Sequence, residues 1–137
     1  ELLMDATIEV GKNVQQGYHQ QFELLKETYD KNSSTELKFI QYLYNKGLAL
    51  PDRAQINLKD YYISADFVYD NDETGIQTFV FIDGSVHDDD EVKEQDAKKR
   101  GLLADAGYDV FVWRYDDDLA ESVNNRKDIF RKVLENE

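Results

Sequence analysis

The sequence predicts an α/β sandwich, with one mixed four-stranded sheet and helices packed against it. Three observations carry this. Three apolar segments, 53–58, 61–69 and 76–83, follow one another across brief polar links, which reads as antiparallel hairpins. A fourth, 108–115, comes only after a helix-patterned stretch, so it can join the sheet parallel to the strand before that helix. Helix-patterned segments also open and close the chain.

In chain order, Val14, Tyr18, Phe22, Leu25 and Tyr29 recur at spacings of four, four, three and four, the face of a helix over about 13–29. His19 lies off that apolar line and reads as a solvated or packing histidine. The Ser33-Ser34-Thr35-Glu36 run then opens a second helix carrying Leu37, Ile40, Leu43 and Tyr44. Ser33 and Glu36 have the spacing of a capping box, which is the ordinary explanation of Glu36. Gly47 stops this helix, and Pro51, the only proline, lies in the loop after it.

The third strand segment, IQTFVFI, is apolar on both faces apart from Gln77 and Thr78, so it belongs in the middle of the sheet. Asp88, Asp89 and Asp90 lead into a helix over about 91–106, where carboxylates face the positive end of the dipole. Gly107 ends it. After the fourth strand, Asp116 to Asp118 precede a last helix with Leu119, Val123, Phe130, Val133 and Leu134 on one side. Residues 1–32 read as an N-terminal helical extension and 33–137 as the main domain, together one compact domain.

A net charge of -13 over 137 residues argues against broad phosphate-backbone binding, which Lys and Arg drive. The chain has no cysteine, which excludes disulfides and thiolate metal sites and leaves oxygen ligands and His19 and His87. Any metal is then hard, magnesium first. No apolar run approaches a membrane span and no charged-then-apolar leader opens the chain, so the expectation is a soluble, cytoplasmic protein without membrane partners.

The chemistry-bearing stretch is 62–87. Asp66 stands inside the second strand and Asp83 closes the third, and carboxylates set among Ile, Phe, Val and Tyr need a partner. Tyr62, Ser64, Asp66 and Val68 are expected on one face, and Phe79, Phe81 and Asp83 on one face of the next strand. Pairing that sets Asp66 near the Asp83 end would let both carboxylates meet one magnesium, whose other positions water and phosphate can fill. Gly84 lets the chain turn away, bringing His87 to the same strand end as base, ligand or phosphate contact. The ordinary readings stand beside these. Asp83-Gly84 is also a turn pair, and a single strand Asp can be paired with Lys or Arg.

Arg53-Ala54-Gln55, Ala65-Asp66-Phe67-Val68, Phe81-Ile82-Asp83-Gly84 with His87, Asp96 with Lys99, Leu103, Gly107-Tyr108, Val110 and Arg114 follow in that order. This succession, within about 33–115, resembles the very-short-patch-repair endonucleases and their relatives in the PD-(D/E)xK, or restriction-endonuclease-like, superfamily. It resembles in particular the nuclease-like domains at the C-terminal ends of some DEAD/DEAH-type helicases, where a FIDG-x-x-HD phrase recurs.

The resemblance implies a three-layer restriction-endonuclease-like sandwich with an α-β-β-β-α-β core, and a magnesium- or manganese-dependent DNA endonuclease. It implies DNA as the partner and a place as the nuclease module of a helicase or of a DNA repair or defence protein, with a helicase region in the same polypeptide. Asp66 matches the metal-binding aspartate. Phe81 falls where most of the superfamily has Glu or Asp, and Asp83 where it has Lys; the patch-repair branch likewise has an aromatic at the first position, where the next carbonyl, Ile82 here, becomes the ligand. By the same analogy His87 contacts the scissile phosphate and Glu36 reaches the metal or its water. Asp83 can bind metal. Asp96, Lys99, Arg100 and Arg114 are the candidates for lining the substrate cleft, with Asp96 and Lys99 equally readable as a helical ion pair. The alternative reading is a catalytically inactive nuclease fold that positions DNA or docks a protein, which the changed signature positions and the acidity favour.

Overall fold

In the computed structural model, which describes residues 16–27, 34–84 and 90–134, α/β architecture follows directly from this order of segments. Helix α1 occupies 16–27 and α2 Ser34–Asn45. Strands β1 (Arg53–Leu58), β2 (Ile63–Tyr69) and β3 (Thr78–Asp83) come next, then α3 (Asp90–Asp105), β4 (Asp109–Arg114) and the short α4 (Leu119–Asn124). The sheet is open and runs β1-β2-β3-β4, with the first two pairings antiparallel. The third is parallel, from Thr78↔Asp109 to Asp83↔Arg114. Strand β3 is interior and buried along its whole length, as its two apolar faces require. Among the described residues no helix is long and apolar enough to cross a membrane.

Each face of the sheet has its own core. On one, α1 and α2 cover Phe67, Tyr69, Val80, Ile82, Phe111 and Trp113 with Tyr18, Phe22, Leu25, Phe39, Ile40 and Leu43. Phe39 is the centre of this layer, its ring set against those of Phe67, Phe111, Trp113 and Phe130. The Tyr18 hydroxyl donates to the Leu43 and Leu48 carbonyls, so α1 is joined to the same core as α2. On the other face a smaller cluster gathers Ala65, Val68, Phe79, Phe81 and Leu103, with Ile56, Leu58, Tyr61, Ile63, Tyr108 and Val110 packed around it. Leu103 is the buried residue of α3, an otherwise polar helix.

Two differences from the sequence reading have local causes. The last helix stops at Asn124 instead of running on to Leu134. Residues 125–130 turn, burying Ile129 and Phe130, and the chain then extends beside the 47–49 loop. There the Gly47 carbonyl accepts from the Val133 and Leu134 amides, and Ala49 N–H donates to the Arg131 carbonyl at 2.8 Å. A helix through this region would leave those loop groups without partners.

The second difference is in the first hairpin. Side-chain alternation slips by one step in both strands at the same rung. Ala54 packs on the helical face of α1 and α2, but Ile56 and Leu58 pack on the other; Phe67 and Tyr69 lie on the first face, but Ala65 and Ile63 on the second. The expected common face of Tyr62, Ser64, Asp66 and Val68 is therefore broken at Asp66, since Val68 shares its cluster with Ala65. Gln55, opposite Asp66 in the hairpin, has φ of 54°, a left-handed conformation that turns the strand over. The outer half of the hairpin leaves the sheet at this rung and folds over the α3 face, where Tyr61 meets Tyr108 edge-on.

Candidate functional site

The bend explains the setting of Asp66. Pairing between β2 and β3 runs from Tyr69↔Thr78 to Phe67↔Val80 and ends there. Beyond it, the half-buried Asp66 carboxylate accepts the Ile82 amide at 2.7 Å, in place of a neighbouring strand carbonyl. The acid is thus held at the fork where two strands part, and Ile82 is its direct partner.

Glu36 reaches the same rung from α2. It is only 3 % exposed, and its Oε1 accepts from Gln55 Nε2 at 2.7 Å. The left-handed turn at Gln55 puts that amide within reach. Gly84 brings the end of β3 to the start of α2, since a Cβ placed on it would lie 3.4 Å from Thr35 Oγ1. Glu36, Gln55, Asp66 and Ile82 are therefore linked through one bend in the hairpin. Ser33, the other half of the expected capping box, lies outside the described residues.

Asp83 has a different setting. Its carboxylate accepts two parallel bonds from Arg100 of α3, 2.9 Å from Nη1 and 2.6 Å from Nη2, with both side chains largely buried. The Arg100 guanidinium also lies over the Phe81 ring, 4.7 Å from its centroid, and Asp96 Oδ2 is 4.0 Å away. This is the planar bidentate geometry that Arg provides and Lys does not. The sequence-based expectation that Asp83 joins Asp66 at a cation meets a carboxylate already engaged by a guanidinium on the α3 side, whereas Glu36 approaches from the α2 side. Among the described residues no group of three or more His, Asp or Glu is placed to hold a metal.

His87 lies outside the described residues, as do Asp88 and Asp89. Beyond the ends of β3 and β4 opens a cleft of about 490 Å³, lined by Asp83, Asp96, Arg100 and Lys93 on the α3 side and by Val112, Arg114, Asp116 and Asp117 on the other. Arg100 and Arg114 both line it. Arg114 is engaged by Asp116, with Nε donating at 3.0 Å. Lys99 is half-buried and outside this lining, and Asp96 approaches Arg100. Four carboxylates face three cations in the cleft, so its field does not favour a bare anion.

At the opposite end of the sheet a broader cleft of about 820 Å³ is bordered by Asp52, Asp70, Asp72, Asp109, Asp128 and Arg126, among others. Burial holds the Asp52 carboxyl above the usual carboxylate range, with the neighbouring Asp70 and Asp72 charges adding to it. Hydrogen bonds from Gln77 and then Arg53 hold Asp70 below that range. Arg126 does the same for Asp128. His19 is exposed, its Nδ1 2.7 Å from the Tyr44 hydroxyl and its Nε2 3.8 Å from Glu23, far from the fork in its bonding.

Sequence reasoning quoted Gln55 only within the Arg53-Ala54-Gln55 stretch of the resemblance and gave it no role of its own. It also named Arg100 and Asp83 separately. Their pairing follows from the return of α3 across the end of β3, which no local pattern encodes. Comparison with protein-family models, with curated proteins and with solved structures finds no match to this chain.

Proposed function

We propose that this chain is a magnesium- or manganese-dependent deoxyribonuclease of the PD-(D/E)xK type, with the restriction-endonuclease-like sandwich as its fold. The observation that carries the reading is Asp66, a carboxylate fixed by the Ile82 amide at the fork of β2 and β3, with buried Glu36 linked to the same rung through Gln55. The helix, three antiparallel strands, helix and parallel strand in order support the fold assignment.

The donors fit a hard cation. Asp66 and Glu36, with the Ile82 carbonyl, would supply oxygen ligands, and magnesium commonly takes one or two carboxylates and keeps several waters. A bound ion lowers the pKa of its water and stabilises charge developing on phosphate. Asp66 orients the Ile82 peptide, Glu36 positions the attacking water, and His87 belongs to the same end of β3 in sequence. Asp83 is not a ligand in this account. It fixes Arg100 against Phe81 at the border of the cleft that Arg114 also lines. The chain would serve as the nuclease module of a cytoplasmic helicase or a related repair or defence protein, whose other regions supply the electrostatic grip that a -13 chain lacks.

A second reading, a catalytically inactive nuclease fold that positions DNA or docks a protein, is favoured by the Asp83–Arg100 pair and the excess of acids in the cleft. Cleavage of end-labelled DNA separates the two. The nuclease reading expects products that require magnesium or manganese and vanish in Asp66→Asn, a variant whose amide oxygen can still accept the Ile82 N–H and keep the fork. Activity unchanged in that variant contradicts the reading, and absence of products in the wild-type protein favours the second.

A further inference from the structure

The outer half of the β1–β2 hairpin, beyond the bend at Gln55 and Asp66, differs from the rest of the surface. Its inner side, Ile56, Leu58, Tyr61 and Ile63, packs on the α3 face of the sheet. Its outer side carries Asn57, Lys59, Tyr62 and Ser64, all exposed. Asn57 and Ser64 are cross-strand partners, so their side chains stand together. In a chain with 29 acids and 16 Lys and Arg, residues 53–65 contain one acid, Asp60, against Arg53 and Lys59.

Tyr62 is the most unusual of these. It is 83 % exposed and has φ of 56°, closing the 3₁₀ turn Lys59–Tyr61 with its N–H donated to the Lys59 carbonyl. A bulky aromatic residue is strained in this region, where Gly or Asn would be the economical choice. Neither burial nor turn geometry accounts for the ring, and such strain is typical of positions kept for contact with a ligand.

We propose that this hairpin end is a platform for an unpaired nucleotide, with the Tyr62 ring stacked on the base, Lys59 against the backbone phosphate, and the Asn57 and Ser64 pair at the base edge. Aromatic stacking, a neighbouring cation and amide or hydroxyl groups are what single-stranded nucleic acid is bound by, and stacking tolerates any base. This weakly acidic stretch leaves the sheet at Asp66, so a strand stacked on it lies on the element that leads to the fork. This rests on the deoxyribonuclease reading and names the substrate form that it takes.

Fluorescence anisotropy with a labelled single-stranded oligonucleotide and its fully paired duplex, at low salt in EDTA, tests the platform without cleavage. Expected are preference for the single strand, retention in Tyr62→Phe, and weakening by about tenfold in Tyr62→Gly. Glycine accepts the left-handed φ without strain, so this variant keeps its fold. Equal binding by Tyr62→Gly and wild type, equal binding of strand and duplex, or binding of neither overturns the proposal. The nuclease reading is scored separately, by magnesium-dependent cleavage in wild type and Asp66→Asn. Cleavage that persists with Tyr62→Gly binding unchanged defeats the platform alone.

Discussion

Replacing Asp83 by Ala is predicted to destabilise the fold by about 3 kcal/mol, the lower end of what breaking a buried ion pair costs. The magnitude follows from the setting. Arg100 and Asp83 side chains are 14 % and 10 % exposed, and two charge-assisted bonds of 2.6 and 2.9 Å join them, so truncation leaves a buried guanidinium without its carboxylate. Arg100 Nε is already buried without a partner among the described residues, which leaves little capacity to absorb the loss. Asp96, 4.0 Å away, compensates in part and keeps the cost from the upper end of the range. With a urea m-value of about 2 kcal/mol/M, the midpoint should fall by about 1.5 M. Converting both residues, Asp83→Leu with Arg100→Met, removes both charges and should return to within about 1 kcal/mol of wild type. A double-mutant cycle with Asp83→Leu and Arg100→Met as its single variants therefore expects strong non-additivity. A single-variant cost below about 1 kcal/mol, or costs that simply add, would refute the assignment of Asp83 to Arg100.

Gly47→Ala should cost about 2–3 kcal/mol in the same denaturation assay, because φ is +68° there and a Cβ would overlap the Leu134 carbonyl oxygen, displacing the chain end that Gly47 holds. Asp52→Asn should raise stability at pH 7 and make no difference near pH 3. Burial raises the folded pKa of Asp52 above its unfolded value, so its ionisation disfavours the folded state once pH exceeds both, and the penalty disappears when both states are protonated. Thermal melts of the two proteins from pH 3 to 7 check the sign, and a variant less stable at pH 7 contradicts it.

The strands were legible because their signals are local. Alternating or continuous apolar runs bounded by Asn71 to Gly75 and by Gly107 place β2, β3 and β4 to within two residues. Strand β2 starts two residues later than read because Tyr62, not a glycine, takes the left-handed turn. Gln55 is hidden for the same reason: no residue type announces a positive φ in a strand, so neither the bend nor the fork was readable. The last helix misled because Val123 and Phe130 have helical spacing, although the segment between them turns and its end is captured by Gly47. At the site, Asp66 stood out as an acid in apolar surroundings, whereas Glu36 had the ordinary reading of a capping box and gained a metal role only through the resemblance. What Asp83 does was open to two readings, metal ligand or partner of a basic residue, and the structure places it with Arg100. Only the return of α3 over β3 decides that, and it depends on tertiary packing around Leu103 and Phe81.

The central claim is that Asp66 anchors a hard divalent cation at the fork of β2 and β3. Isothermal titration of magnesium, and of manganese, into the wild-type chain and into Asp66→Asn tests it most directly. The account predicts a saturable binding event in wild type that is lost in the variant while its circular dichroism is unchanged. Heat of binding that is the same in both proteins, or absent from wild type, would contradict it.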